Sequence, residues 1–219
     1  MKAIILNAGM SSRMKTYEPR ATLKINEKML IEHQYDSLIY HKFSVKTVVG
    51  FKGNKLVKKI NHLPIEIDYN LQYEKTNNAQ SLKIGFRPEY NNLLVINGDI
   101  LFNKETLDVD YSKSFVIIDS KQQIKDREIG AVSSNNLLTN LSYGIKQKWC
   151  QIVFFTGEEF SLLHHVLYST NVEKKLTFEI INQIIDMGGI FHTYENPFMK
   201  ISEIDCVKEL NNEKNKSIN

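Results

Sequence analysis

Cysteine is scarce: only Cys150 and Cys206, far apart and in no Cys-x-x-Cys or Cys/His spacing. That excludes a disulfide scaffold and a zinc ribbon and favours a reducing, cytoplasmic compartment. No apolar run approaches the roughly 20 residues of a membrane span. The apolar start, Ala3 to Leu6, is too short for a signal-peptide core, and no small-residue cleavage site follows it. Charge of one sign is missing too. Lys and Arg number 28 against 25 Asp and Glu, a net +3, too balanced for a dedicated nucleic-acid binder. There is no internal repeat and no domain linker. The expectation is one domain over residues 1–212 with a polar C-terminal tail, 213–219. A chain of 219 residues with 42% hydrophobic content needs no covalent or metal staple to fold.

What is present is an alternation of strand and helix. Lys2 to Ala8 is a short apolar run ending in Gly9, the pattern of a buried parallel strand. Asn26 reads as the N-cap of a helix carrying Met29, Leu30, His33, Leu38 and Ile39 on one side. Strands are expected at Val45–Phe51, Pro64–Tyr69 and Leu93–Asn97, and a helix from Asn78 to Phe86. Beyond Asp99, strands at 114–119, 129–134 and 141–155 are joined by polar turns, Asn135-Asn136 among them. Helices follow at 158–169 and 175–187, with Gly188-Gly189 as a stop, then a strand at 190–194. The fold class is α/β: a Rossmann-like, mixed and mainly parallel central sheet with helices on both faces, plus a small β-rich insertion.

In such a sheet, ligands bind at the carboxyl ends of the strands. Three features fall there. Leu6-Asn-Ala-Gly-Met-Ser-Ser-Arg13 offers small residues, backbone N–H groups and a fixed positive charge to a phosphate. It is neither the dinucleotide GxGxxG nor the P-loop. Asn97-Gly98-Asp99 sets a carboxylate directly after an apolar strand. Ser202-Glu-Ile-Asp205 sets two carboxylates around one apolar residue, where Asp205 alone also reads as a helix N-cap. Taken singly each is an ordinary turn or cap. Taken together, a phosphate cradle with two distant carboxylates suits Mg²⁺-assisted phosphoryl or nucleotidyl transfer. The adjacent His164-His165 face different ways and read as structural.

These motifs resemble those of the small nucleotidyltransferases, which include sugar-1-phosphate nucleotidyltransferases and bacterial phosphocholine cytidylyltransferases. The resemblance rests on Met1–Arg13, Pro19-Arg20, Lys28–Glu32, Asn97-Gly-Asp99 and Glu203-Ile-Asp205, and runs to about Leu210. Tyr73-Glu-Lys-Thr-Asn-Asn78 with Ser81-Leu82 resembles the cytidylyltransferase branch. It implies the nucleotidyltransferase fold, with the β-rich insertion on the acceptor side. It also implies CMP transfer from CTP to a small phosphorylated acceptor (phosphocholine, phosphoglutamine or a phosphonate) for surface-polysaccharide decoration. A sugar-1-phosphate uridylyl- or thymidylyltransferase and a non-catalytic nucleotide-binding protein are the alternatives. Arg13, Arg20, Asp99 and Asp205 would be catalytic, with Asp99 and Asp205 holding Mg²⁺. Leu6, Asn7, Ala8, Gly9, Met10, Ser11, Ser12, Arg13, Asn78, Ser81, Gly98 and Asp99 would bind the nucleotide. Trp149, Tyr73 and Glu179 are the candidates for the acceptor. No nucleic acid or membrane partner is implied, and the chain would act as a monomer or homodimer. Three departures stand out: Ser11 replaces a family glycine, the segment between Arg13 and Pro19 is shorter than usual, and Arg20 replaces the family lysine of Pro-Lys, a role Lys15 or Lys24 would otherwise share.

Overall fold

The structure, a computed structural model, describes residues 1–10, 18–122, 124, 128–145 and 147–216. The first half keeps the strand–helix rhythm. In order come β1 (Lys2–Asn7), β2 (Lys24–Ile25), β3 (Lys28–Met29), α1 (Leu30–Tyr40), β4 (Ser44–Val49), α2 (Gly53–Lys59), β5 (Ile65–Tyr69), α3 (Asn78–Gly85) and β6 (Asn92–Asn97). The second half is richer in strands. It holds β7 (Ile100–Phe102), β8 (Phe115–Asp119), β9 (Ile129–Ser134), β10 (Leu137–Tyr143), β11 (Gln147–Thr156), α4 (Gly157–Ser169), α5 (Thr177–Asp186), β12 (His192–Tyr194), β13 (Ile201–Glu203) and α6 (Val207–Lys216).

Nine strands form one sheet in the order β5-β4-β1-β6-β11-β8-β12-β10-β9. The β5-β4-β1-β6 half is parallel, and β11 then runs antiparallel to β6. Apolar side chains fill both faces because central strands are covered twice. Ile4, Val95, Val153 and Phe155 pack under α3, α4 and α5. Ile5, Leu94, Ile96 and Ile152 pack under α1 and α2. Phe86, just past α3, lies against Phe160 and stacks on His164 of α4 at 5.2 and 5.7 Å. Truncating such a ring costs about 3–5 kcal/mol, so α3 is firmly held where it meets the sheet.

The helix expected from Asn26 begins four residues later. Asn26 and Glu27 both take positive φ (49° and 68°) and turn the β2–β3 hairpin. The helix start is set instead by Glu32, whose Oε2 accepts the Met29 backbone N–H at 2.6 Å. The strand expected over 141–155 is two strands, β10 and β11, parted at Gly144. Asn135 and Asn136 (φ 51° and 60°) close the β9–β10 hairpin, as their left-handed tolerance predicts. Gly188, at φ 97°, ends the helical stretch after α5. Helix α6 runs on to Lys216, and Glu213 accepts a hydrogen bond from Ser202, so ordered structure continues past residue 212.

Candidate active site

The carboxyl ends of β1 and β6 lie side by side, with Leu6 in register with Asn97. The chain then turns at Gly98, whose N–H donates to the Leu6 carbonyl at 3.0 Å. A Cβ there would sit 1.9 Å from Asn7 Oδ1 and 2.7 Å from the Leu6 oxygen, so only glycine allows the approach. Asp99 follows at once.

Asp205 reaches Asp99 through two short strands that hydrophobic pattern did not reveal. β7 and β13 pair antiparallel, with Glu203 opposite Ile100, and the Ile204 N–H donates to the Asp99 carbonyl at 2.8 Å. The result is a cluster of three carboxylates. Oxygens of Asp99, Glu203 and Asp205 lie within 4.8 Å of one another.

Arg20 enters the same cluster. Pro19 leads into a 3-10 turn over Arg20–Thr22, closed by the Thr22 N–H and hydroxyl on the Pro19 carbonyl, and Ala21 is packed into the core. The Arg20 guanidinium hydrogen-bonds Asp99, and its Nη1 lies 3.0 Å from Asp205 Oδ1. The side chain is thus directed at the carboxylates. Its buried Nε donates to no group among the described residues.

Lys148 on β11 flanks the cluster, 3.4 Å from Glu203 and 3.1 Å from Glu128. Burial works against its ammonium, but the two carboxylates outweigh that and raise its pKa. Burial, reinforced by the charges of Asp99 and Asp205, pushes the Glu203 carboxyl up to about 7. Glu203 Oε2 is buried and accepts no hydrogen bond among the described residues; its contact is the charge of Lys148.

Among the expected nucleotide residues, Leu6, Asn7, Gly9, Asn78, Gly98 and Asp99 line a cleft of about 160 Å³, together with Arg20, Ala21 and Asn97. Ala8 is buried and absent from that wall, its carbonyl taken by the Phe51 N–H, and Met10 is exposed. Ser11, Ser12, Arg13 and Lys15 lie outside the described residues. Lys24 is an exposed residue of β2. Ser81 is a correction: it is buried, and its hydroxyl accepts from Asn70 at 3.1 Å, so it braces the loop before α3 and does not reach the cleft.

The acceptor candidates do not converge. Trp149 is 4% exposed, in the core under α5, with its indole N–H on the Ile152 carbonyl. Glu179 is spent capping α5, accepting the Leu176 N–H at 2.7 Å. Tyr73 packs edge-on to Phe51. Sequence reasoning had paired Glu203 with Asp205 in one motif without giving Glu203 a ligand role, and it passed over Asn97 and Lys148. The one signal for Glu203 was its spacing in the motif, since Glu203 and Asp205 flank Ile204, which is buried in the small core beside α6.

Residues 3–109 match the model of the MobA-like NTP transferase domain. That stretch, about half of the chain, is similar to this domain. The NTP transferase fold extends over the whole chain. It superposes on the CTP:phosphocholine cytidylyltransferase LicC from Streptococcus pneumoniae with a TM-score of 0.83, at 19% identity, covering 99% of this chain and 98% of that one. A putative glucose-1-phosphate thymidylyltransferase from Bacillus anthracis gives 0.77 at 16% identity, covering 99% and 95%. In sequence, the chain is 24% identical over 202 residues to the bifunctional protein GlmU of Methanococcus maripaludis (strain C5), 87% of this chain and 48% of that protein. The chain therefore spans about half the length of this curated relative. No helix among the described residues is long and apolar enough to cross a membrane.

Proposed function

We propose that this protein is a nucleotidyltransferase that moves CMP from CTP to a small phosphorylated acceptor and releases pyrophosphate. The observation that carries the reading is the convergence of Asp99, Glu203 and Asp205 with Arg20 at the carboxyl end of β6. A non-catalytic binding module has no use for three carboxylates gathered from two distant stretches of the chain.

The donor set fits a divalent metal. All three groups are hard carboxylate oxygens, the ligands Mg²⁺ takes, and Glu203 Oε2 is a buried acceptor with no hydrogen-bond donor among the described residues. Asp99 and Asp205 would hold the ion, with Glu203 beside them. A bound Mg²⁺ supplies neutralisation of the charge that builds on the phosphate oxygens during transfer.

The protein's own part is positioning and charge. Small residues at the end of β1 let the triphosphate approach the backbone, and Arg20, which lines the same cleft, brings positive charge to it. The acceptor's phosphate oxygen attacks the innermost phosphorus in line, and pyrophosphate departs. A phosphate nucleophile is already ionised near neutral pH, so no general base is needed and catalysis is orientation plus electrostatics.

CTP is favoured by the Tyr73–Asn78 and Ser81-Leu82 resemblance and by the similarity to LicC over nearly the full length of both chains. A sugar-1-phosphate thymidylyl reading is supported by the Bacillus anthracis neighbour. The deciding experiment scores pyrophosphate release for CTP, UTP, GTP, ATP and dTTP against phosphocholine, 2-aminoethylphosphonate, phosphoglutamine and sugar-1-phosphates. Release with CTP and one of the first three acceptors is expected. Preference for dTTP or UTP with a sugar-1-phosphate overturns the cytidylyl assignment, and no release with any pair overturns the transferase reading.

A further inference from the structure

One residue of β11 breaks the geometry of its strand. Gln151 has φ +59°, in the left-handed region that non-glycine residues seldom adopt inside a strand. The ladder with β8 slips at the same point. Trp149 pairs with Ile118 and Val153 with Val116, so Cys150, Gln151 and Ile152 together stand opposite Ile117. Trp149 and Val153 are buried on one face of the sheet and Cys150 and Ile152 on the other. Gln151 is the residue the bulge pushes out of both cores.

Its side chain ends a directed chain of amides. The chain begins at a group that cannot be reversed, the Thr177 backbone N–H, which donates to Asn78 Oδ1 at 2.8 Å. That fixes the Asn78 amide nitrogen as the outward group, and it donates to Asn97 Oδ1 at 3.4 Å. Asn97 is fixed in turn, and its nitrogen donates to Gln151 Oε1. The orientation of every amide follows from the first. Gln151 is left with its Nε2 as the free end of the relay, and no hydrogen bond from it is made to the described residues. Asn78 and Asn97 both line the cleft, and Asn97 stands two residues before Asp99.

Sheet order gives this donor its side. β1, whose following turn takes the phosphates in the reading above, flanks β6 on one edge, and β11 flanks β6 on the other. In an in-line transfer the acceptor approaches opposite the departing pyrophosphate. The flank away from β1 is therefore the acceptor's.

We propose that Gln151 is the acceptor-reading residue of the site, donating through Nε2 to an oxygen of the phosphorylated acceptor. This rests on the nucleotidyl-transfer reading above. The left-handed backbone is a cost the fold carries to aim that amide, and the relay from Thr177 keeps it a donor. A donor fixed in this way rejects an acceptor that offers no oxygen at that point, because one partner would be left unpaired.

The test uses the whole chain and two variants. The Gln151 side-chain amide signal is identified in ¹H–¹⁵N spectra by its loss in Gln151→Glu. It is followed on adding a CTP analogue with a methylene bridge between its first two phosphates, and then phosphocholine, 2-aminoethylphosphonate, phosphoglutamine or glucose-1-phosphate. The expected result is no shift with the analogue alone and a clear shift with one acceptor. For that acceptor, KM in Gln151→Glu should rise by about tenfold or more while KM for the nucleotide stays within about twofold. Gln151→Gly should lose the same acceptor selectivity with a Tm no lower than wild type, since glycine takes this backbone without strain. A shift with the analogue alone makes Gln151 a nucleotide contact and overturns the proposal. No shift with any of the four acceptors overturns it as well. A shift without pyrophosphate release leaves the acceptor contact standing and removes the transfer reading instead.

Discussion

Arg20 Nη1 lies 3.0 Å from Asp205 Oδ1, although the two residues come from opposite ends of the chain. The same guanidinium hydrogen-bonds Asp99, so one cation spans two of the three carboxylates of the cluster. Part of its task in the metal-free protein is to compensate acids that would otherwise repel one another.

Removing that cation has a specific consequence. Arg20→Ala leaves partly buried carboxylates with less compensation, and the metal-free protein should lose about 3 kcal/mol of stability. Millimolar MgCl₂ should restore most of it, because a cation that binds only the folded state stabilises that state. Urea midpoints with and without Mg²⁺ read this directly. Wild type should respond much less, and an equal response in both proteins removes Arg20 from the role.

Asp99 and Asp205 carry the transfer if the proposed chemistry is right. Asp99→Asn and Asp205→Asn should each lower kcat/KM more than about 100-fold, a loss near 3 kcal/mol of transition-state stabilisation. Each should also weaken Mn²⁺ binding measured by calorimetry without nucleotide. Near-wild-type turnover in either variant removes that residue from the metal site.

The two cysteines should separate cleanly by reactivity. Cys150 is buried in the core under α1, and burial pushes its thiol pKa strongly upward, so almost no thiolate forms near neutral pH. Cys206 is partly exposed just before α6. A colorimetric thiol titration of the native protein should give fast labelling at Cys206 and none at Cys150 until denaturant is added. Mass mapping of the labelled peptide identifies the site, and rapid label on Cys150 contradicts the packing described here.

The sheet was legible because central parallel strands read as unbroken apolar runs. Lys2–Asn7 and Asn92–Asn97 emerged within a residue or two of their true ends. What escaped were elements defined by pairing and not by pattern. β7 and β13 are three residues each, too short for any periodicity, yet they bring Asp205 to Asp99. The β2–β3 hairpin hid inside an expected helix because Asn is equally at home as an N-cap and in the left-handed turn it occupies. The meeting of Asp99 with Asp205 was readable from strand-end motifs. Glu203 received no ligand role and Gln151 was passed over. The place of Glu203 beside Asp99 depends on register with β7, and the backbone of Gln151 on a bulge whose residues look like any other strand. Trp149 misled because an aromatic beside a lysine reads equally as a pocket wall and as core. The face of β11 it occupies decides for the core.

Glu203 gives the site a pH signature. Burial and the charges of Asp99 and Asp205 raise its pKa to about 7, well above the 4.5 of an ordinary glutamate. Between those values the native state holds a proton that the unfolded chain has released. Stability of the metal-free protein should therefore fall as pH rises from about 4.5 to about 7, by up to about 3 kcal/mol, and level off above that. Glu203→Gln keeps the shape of the protonated group and cannot ionise, so the slope in that window should flatten. Saturating Mg²⁺ should make the slope in wild type shallower, because ligation favours the carboxylate and protons compete with the ion. Urea midpoints measured across this pH range in EDTA and in MgCl₂, for both proteins, check all three slopes. A wild-type slope that survives in Glu203→Gln assigns the titration to another group and removes Glu203 from the cluster's proton balance.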